Sequence, residues 1–132
     1  MKRVAFTIIL NGYRHLVHKN YYETMSKNFD LWVIVEGLSN PGGSTSWCNE
    51  LDSKFHNNYI SNDGTSEFLD ENKKDNVIIV RPENRPWNSK DEQVNAAIEE
   101  IKKHYNECFL WQIDIDEQWS KEQLQFQSFL KF

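Results

Sequence analysis

Asp114 and Asp116 stand two residues apart, with Glu117 beside the second, where the apolar run "FLWQI" gives out. Carboxylates held that close repel one another, and without a counter-charge at least one of their pKa values would rise. A divalent cation removes the conflict, because Mg²⁺ or Mn²⁺ takes oxygen ligands and commonly shares them with substrate phosphates. Asp114 and Asp116 are therefore candidate metal ligands. The same residues also fit a solvated strand end that favours the next helix through its dipole, since Asp-x-Asp is a common spacing.

Other polar groups follow other apolar runs. Asn11 comes after "VAFTIIL", Glu36 after "LWVIV" and Arg81 after "VIIV". Glu36 is suited to accept hydrogen bonds from a base imide or from ribose hydroxyls, and equally to be a plain strand-end acid. Arg81, Arg85 and Lys90 surround "RPENRPWNSK", close to a helix start where diphosphate charge would be welcome; a solvated loop stiffened by Pro82 and Pro86 accounts for them as well. Tyr13 suits either stacking on a base or rim packing. His15, His18, His56 and His104 share no metal-ligand spacing with the cysteines. No Gly-x-Gly-x-x-Gly, Walker or Gly-x-Ser-x-Gly motif occurs, which argues against dinucleotide oxidoreductases, P-loop enzymes and serine hydrolases of the elbow type.

The elements that must position these groups are legible in the hydrophobic pattern. Residues 4–10, 31–35, 77–80 and 108–113 are short, continuous apolar runs, as expected of parallel strands covered on both faces. Val17, Tyr21 and Met25 recur at helical spacing, and Val94, Ala97, Ile98, Ile101 and Tyr105 form a second stripe. Ser89 with Glu92, and Ser120 with Gln123, have capping-box spacing, so helices should begin at both serines. A short helix is expected near 65–73, after a long loop over 37–62 whose Gly42–Gly43 stretch could close over a ligand. The order β-α-β-loop-α-β-α-β-acids-α predicts a right-handed α/β fold in three layers, Rossmann-like, with a mostly parallel sheet and helices on both faces. Ligands of such sheets bind at the carboxyl ends of the strands, where every group singled out above is found.

Bulk properties narrow the classes further. A chain of 132 residues with 39% hydrophobic and 14% aromatic residues forms one domain with a sizeable core. The net charge of −5, without a basic block, excludes nucleic acid as the main partner. Cys48 and Cys108 read as free thiols in a reducing, cytoplasmic setting, and no run approaches a membrane span.

Three strings, "SNDGTSEFLDE", "RPENRPWNSKDEQVNAAI" and "LWQIDIDEQW", together with the Asp-x-Asp after the fourth strand, resemble the nucleotide-sugar-binding half of GT-A-fold, family-2-like glycosyltransferases across residues 4–119. The resemblance implies a donor nucleoside-diphosphate sugar, with a UDP-sugar favoured, and Mn²⁺ or Mg²⁺ as cofactor. It further implies that Asp116 binds the metal directly and that Asp114 contacts the metal indirectly or meets ribose and donor sugar. Glu36 matches the acid that reads base or ribose, Asn11 the backbone approach to the base, and Lys90 or Arg81 a diphosphate contact. Transferases of this fold continue into an acceptor-binding half that supplies a general base, whereas sixteen residues follow Asp116 here, and no base is identifiable. The expectation is a donor-binding portion whose acceptor, a glycan, protein or lipid, is unknown, and whose apolar tail "FQSFLKF" seeks a second copy or a partner chain. The alternatives are a non-catalytic nucleotide-sugar-binding module and, less favoured, a Mg²⁺-dependent phosphoryl-transfer enzyme with Asp114 as nucleophile.

Overall fold

Four parallel strands organise the chain in the computed structural model, which describes residues 1–40 and 55–116. In chain order they are β1 (Arg3–Ile9), β2 (Leu31–Glu36), β3 (Val77–Val80) and β4 (Phe109–Gln112), and in space they lie β3-β2-β1-β4. Each expected strand is present, shifted by no more than about one residue at its ends. The helices are α1 (Tyr13–Val17), α2 (Tyr21–Asn28), α3 (Thr65–Glu71) and α4 (Lys90–Lys102).

The strands look uniformly apolar because both of their faces are buried. From β1 outward, Ala5, Ile9, Trp32, Ile34, Val77 and Trp111 pack with Leu16 of α1, Met25 of α2 and Leu69 of α3 on one side. Alternate residues Val4, Phe6, Leu31, Val33 and Val35 pack with Ala97 and Ile101 of α4 on the other. This two-residue alternation is the pleat itself. Burying each large side chain contributes roughly 1.5–3 kcal/mol, which is what holds helices to both faces of the sheet. One polar pair is built into the first face: Trp32 Nε1 donates to Thr7 Oγ1 at 3.0 Å, so neither buried group is left unbonded.

Two local differences from the sequence pattern have clear causes. The stripe Val17, Tyr21, Met25 does not lie on one helix, because Lys19 (φ 47°) and Asn20 (φ 63°) take left-handed conformations and divide α1 from α2 through a 3₁₀ turn. Asn tolerates that region better than most side chains. Tyr21 and Met25 remain core residues, whereas Val17 is 44% exposed. At α4, Ser89 Oγ accepts from the Glu92 backbone N–H at 3.2 Å as expected, but Glu92 returns its carboxylate to the Asn88 N–H at 3.0 Å rather than to Ser89. The capping residue holds and its reciprocal partner is one residue earlier. Arg85 also donates to Glu92, and that bond, followed by the one from Asn88, holds the Glu92 carboxyl below its ordinary pKa.

Cys108 is a free thiol whose pKa burial raises. No helix among the described residues is long and apolar enough to cross a membrane. Cys48, Gly42 and Gly43, Glu117, the helix expected at Ser120 and the apolar tail fall outside the described residues.

Candidate functional site

Because all four strands run the same way, their carboxyl ends form a single edge, and the register fixes who meets whom along it. Ile9 of β1 is paired with Glu36 of β2, and Val35 of β2 with Val80 of β3. Glu36 and Arg81, each one residue further on from the second pair, are therefore cross-strand neighbours. They form an ion pair at 2.8 Å, with the Glu36 side chain wholly buried and the Arg81 side chain 27% exposed.

The Glu36 carboxylate is the centre of a closed knot. One oxygen accepts from Arg81 Nε, and the other accepts from the Ser61 backbone N–H at 3.1 Å and from the Ser66 hydroxyl. Arg81 also donates to Asp70 Oδ1 at 2.9 Å and to the Ser66 carbonyl at 3.3 Å, so α3 is tied to the ends of β2 and β3. Burial alone opposes the Arg81 charge, but hydrogen bonds to Glu36 and Asp70 more than offset it and raise the guanidinium pKa. On the other face Trp87 Nε1 donates to the Glu36 carbonyl at 3.1 Å and Gln93 Nε2 to the Gly37 carbonyl at 3.1 Å, anchoring α4 to the same strand end. Gly37 has φ 141°, and a Cβ there would lie 2.7 Å from Trp87 Nε1. Only glycine fits.

At the other side of the edge the acids are exposed to solvent. Asp114 and Asp116 follow β4, both exposed, and the residue between them packs over the end of β1: a Cβ on Gly12 would lie 3.0 Å from Ile115 Cγ1. The acidic turn is thus seated beside Asn11 and Gly12. Asn11, at φ 55°, is itself pinned by the segment returning toward α3. Its N–H donates to Ser61 Oγ at 3.0 Å, its Nδ2 to the Phe55 carbonyl at 2.7 Å, and its Oδ1 accepts from the Asn62 N–H at 2.8 Å. Gly12 and Tyr13 donate their backbone N–H groups to Thr65 Oγ1 and Asp63 Oδ2, at 3.0 and 3.1 Å. The Tyr13 ring lies edge-on to Phe68, 6.0 Å between centroids, and remains 40% exposed, and Phe55 near the same loop is 60% exposed.

The six residues singled out in the sequence therefore fall into three groups. Asn11, Asp114 and Asp116 follow the neighbouring strands β1 and β4. Glu36 and Arg81 are engaged with each other at β2 and β3, and three strand spacings of about 4.8 Å put Arg81 roughly 14 Å from the acidic turn. Lys90 is the exposed first residue of α4, on the far face of the sheet. Sequence reasoning did not single out Ser61, Ser66, Asp70 or Thr65. Ser66 and Asp70, at i and i+4 of an expected helix, share a face, and that spacing was the available signal.

Asp114 and Asp116 offer hard oxygen donors, and among the described residues no group of three or more His, Cys, Asp or Glu gathers into a cage. Two exposed carboxylates fit the way Mg²⁺ and Mn²⁺ are held when substrate phosphates complete the ligand shell, and do not fit a closed all-protein site. Comparison with protein-family models, curated proteins and solved structures found no match, so the reading of this edge rests on its own geometry.

Proposed function

We propose that the chain is a metal-dependent glycosyltransferase, or the donor-binding part of one, that holds a nucleoside-diphosphate sugar at the ends of β1 and β4 in a GT-A-type, three-layer sheet. The observation that carries this reading is the position of Asp114 and Asp116 in a sheet of order β3-β2-β1-β4. Successive strands are added outward from β1 to β3, and then β4 is added on the other side of β1. The crevice of an open parallel sheet opens where the order reverses, between the carboxyl ends of β1 and β4. That is where the two carboxylates stand.

Asp114 and Asp116 would hold Mn²⁺ or Mg²⁺, which when bound neutralises charge on the departing nucleoside diphosphate. Asn11 and Gly12 shape the wall beside them, and the exposed ring of Tyr13 offers a face to a planar base. Glu36 acts from behind this wall: it holds the Ser61 N–H, Ser61 Oγ accepts from the Asn11 N–H, and the β1 end is fixed through that chain of bonds. Arg81 supports Glu36 and so contributes to the site through position.

Calorimetric titration of the chain with UDP, GDP and dTDP, each with and without Mn²⁺, tests the proposal. One nucleotide should bind only when Mn²⁺ is present. Failure of all three to bind a folded chain with Mn²⁺ would overturn it.

A further inference from the structure

Asn11 is followed by Gly12, and an Asn-Gly pair is prone to losing its side-chain amide, because glycine has no Cβ to hinder attack by its own backbone nitrogen. In that reaction the Gly12 nitrogen, giving up its proton, attacks Cγ of Asn11 and ammonia departs, leaving a cyclic imide. Water then opens the ring to Asp or to its β-linked isomer. We propose that Asn11–Gly12 is a latent deamidation site that the fold keeps shut, with Thr65 as the residue that closes it.

Three bonds block the reaction, and all come from the segment 55–65. The Gly12 N–H is buried against Thr65 Oγ1 at 3.0 Å, and Thr65 has no exposed surface. The Thr65 hydroxyl gives its own proton to Asp63 Oδ1 at 2.6 Å, which leaves its lone pair aimed at Gly12 and holds the attacking nitrogen in its protonated, bonded form. The Asn11 side chain is fixed at both ends, donating to the Phe55 carbonyl and accepting from the Asn62 N–H, so Cγ cannot swing onto the Gly12 nitrogen. Reaction therefore requires the 55–65 segment to open, and its rate follows that opening.

Conversion has a structural consequence. The amide that donates to Phe55 becomes a carboxylate, which can only accept, so the 2.7 Å contact with the carbonyl turns repulsive. It also adds a negative charge on the residue before Gly12, which itself lies against Ile115 between the two acids. A segment that loosens, for any reason, thus marks the chain chemically at the edge where the site lies.

The test is peptide mapping of the Asn11-containing peptide after incubation at neutral pH, for the native chain and for the chain unfolded in urea, alongside Thr65→Val and Thr65→Ser in native buffer. The native chain should deamidate at least about tenfold more slowly than the unfolded one. Thr65→Val should move the native rate toward the unfolded rate, and Thr65→Ser, which keeps the hydroxyl, should stay near the native rate. Equal rates in native and unfolded chain would overturn the proposal, as would a folded Thr65→Val chain that reacts as slowly as the unmodified one. The native-against-urea comparison needs no variant and decides whether the fold keeps the site shut even where Thr65→Val does not fold.

Discussion

Replacing Arg81 by alanine should lower the unfolding free energy by about 3–5 kcal/mol, a large fraction of what a domain of this size possesses. The loss arises because Glu36 stays behind, wholly buried, with its principal counter-charge removed. The Asp70 side of the same guanidinium matters far less, since its side chain is 50% exposed and a solvated pair contributes about 0–1 kcal/mol. Asp70→Ala is therefore the natural control. Urea unfolding of the two variants should show a large drop in midpoint for Arg81→Ala and a small one for Asp70→Ala, with similar slopes. The double change Glu36→Leu with Arg81→Met should cost much less than the sum of its parts, because no charge is stranded. Equal losses for Arg81→Ala and Asp70→Ala would show that the buried pair is not what secures this edge.

The second large effect belongs to the open side of the edge. Asp116→Asn and Asp114→Asn should each weaken Mn²⁺-dependent nucleotide binding by at least about a hundredfold, a ligand substitution being no milder than the 10–100-fold typical of outer-shell changes. Asp116 is exposed and lies outside the packed faces of the sheet, so Asp116→Asn should change stability by no more than about 0.5 kcal/mol. Addition of a chelator to the unmodified chain should reproduce the loss of binding without unfolding it. Unchanged affinity in Asp116→Asn would remove the metal from the reading of this site. The two predictions separate cleanly: Arg81 is expected to govern whether the edge is held in place, and Asp114 and Asp116, on the proposed function, what it would hold.

Why one half of this edge was readable in the sequence and the other was not follows from where the information resides. A strand buried on both faces must be apolar at every position, so "LWVIV" and "VIIV" announce themselves, and the groups that follow them must sit at the carboxyl edge. Sequence alone does not give the order of strands. That Glu36 and Arg81 are neighbours depends on β2 lying beside β3 in the register Val35 to Val80, a relation between residues 45 positions apart. Once they are neighbours, Coulomb attraction in a buried setting pairs them, and an acid that looked suited to read a ligand becomes the support of the wall behind it. The break at Lys19 and Asn20 was hidden for a different reason: helical periodicity records which side chains are buried, and it continues across a backbone kink that leaves Tyr21 and Met25 in the core. Ser89 was readable because a cap acts within four residues of sequence.

The proposed seat for a nucleotide and its metal between β1 and β4 is tested most directly by adding Mn²⁺, with whichever of UDP, GDP and dTDP binds, to the isotope-labelled chain and following paramagnetic broadening of its backbone amide signals. Broadening should be steepest at residues 11–13 and 113–116, fall off across the sheet toward 77–81, and vanish in Asp116→Asn. Broadening centred on 77–81 or on the start of α4, or none at all with Mn²⁺ and any of the three nucleotides present, would contradict a site at the β1 and β4 ends.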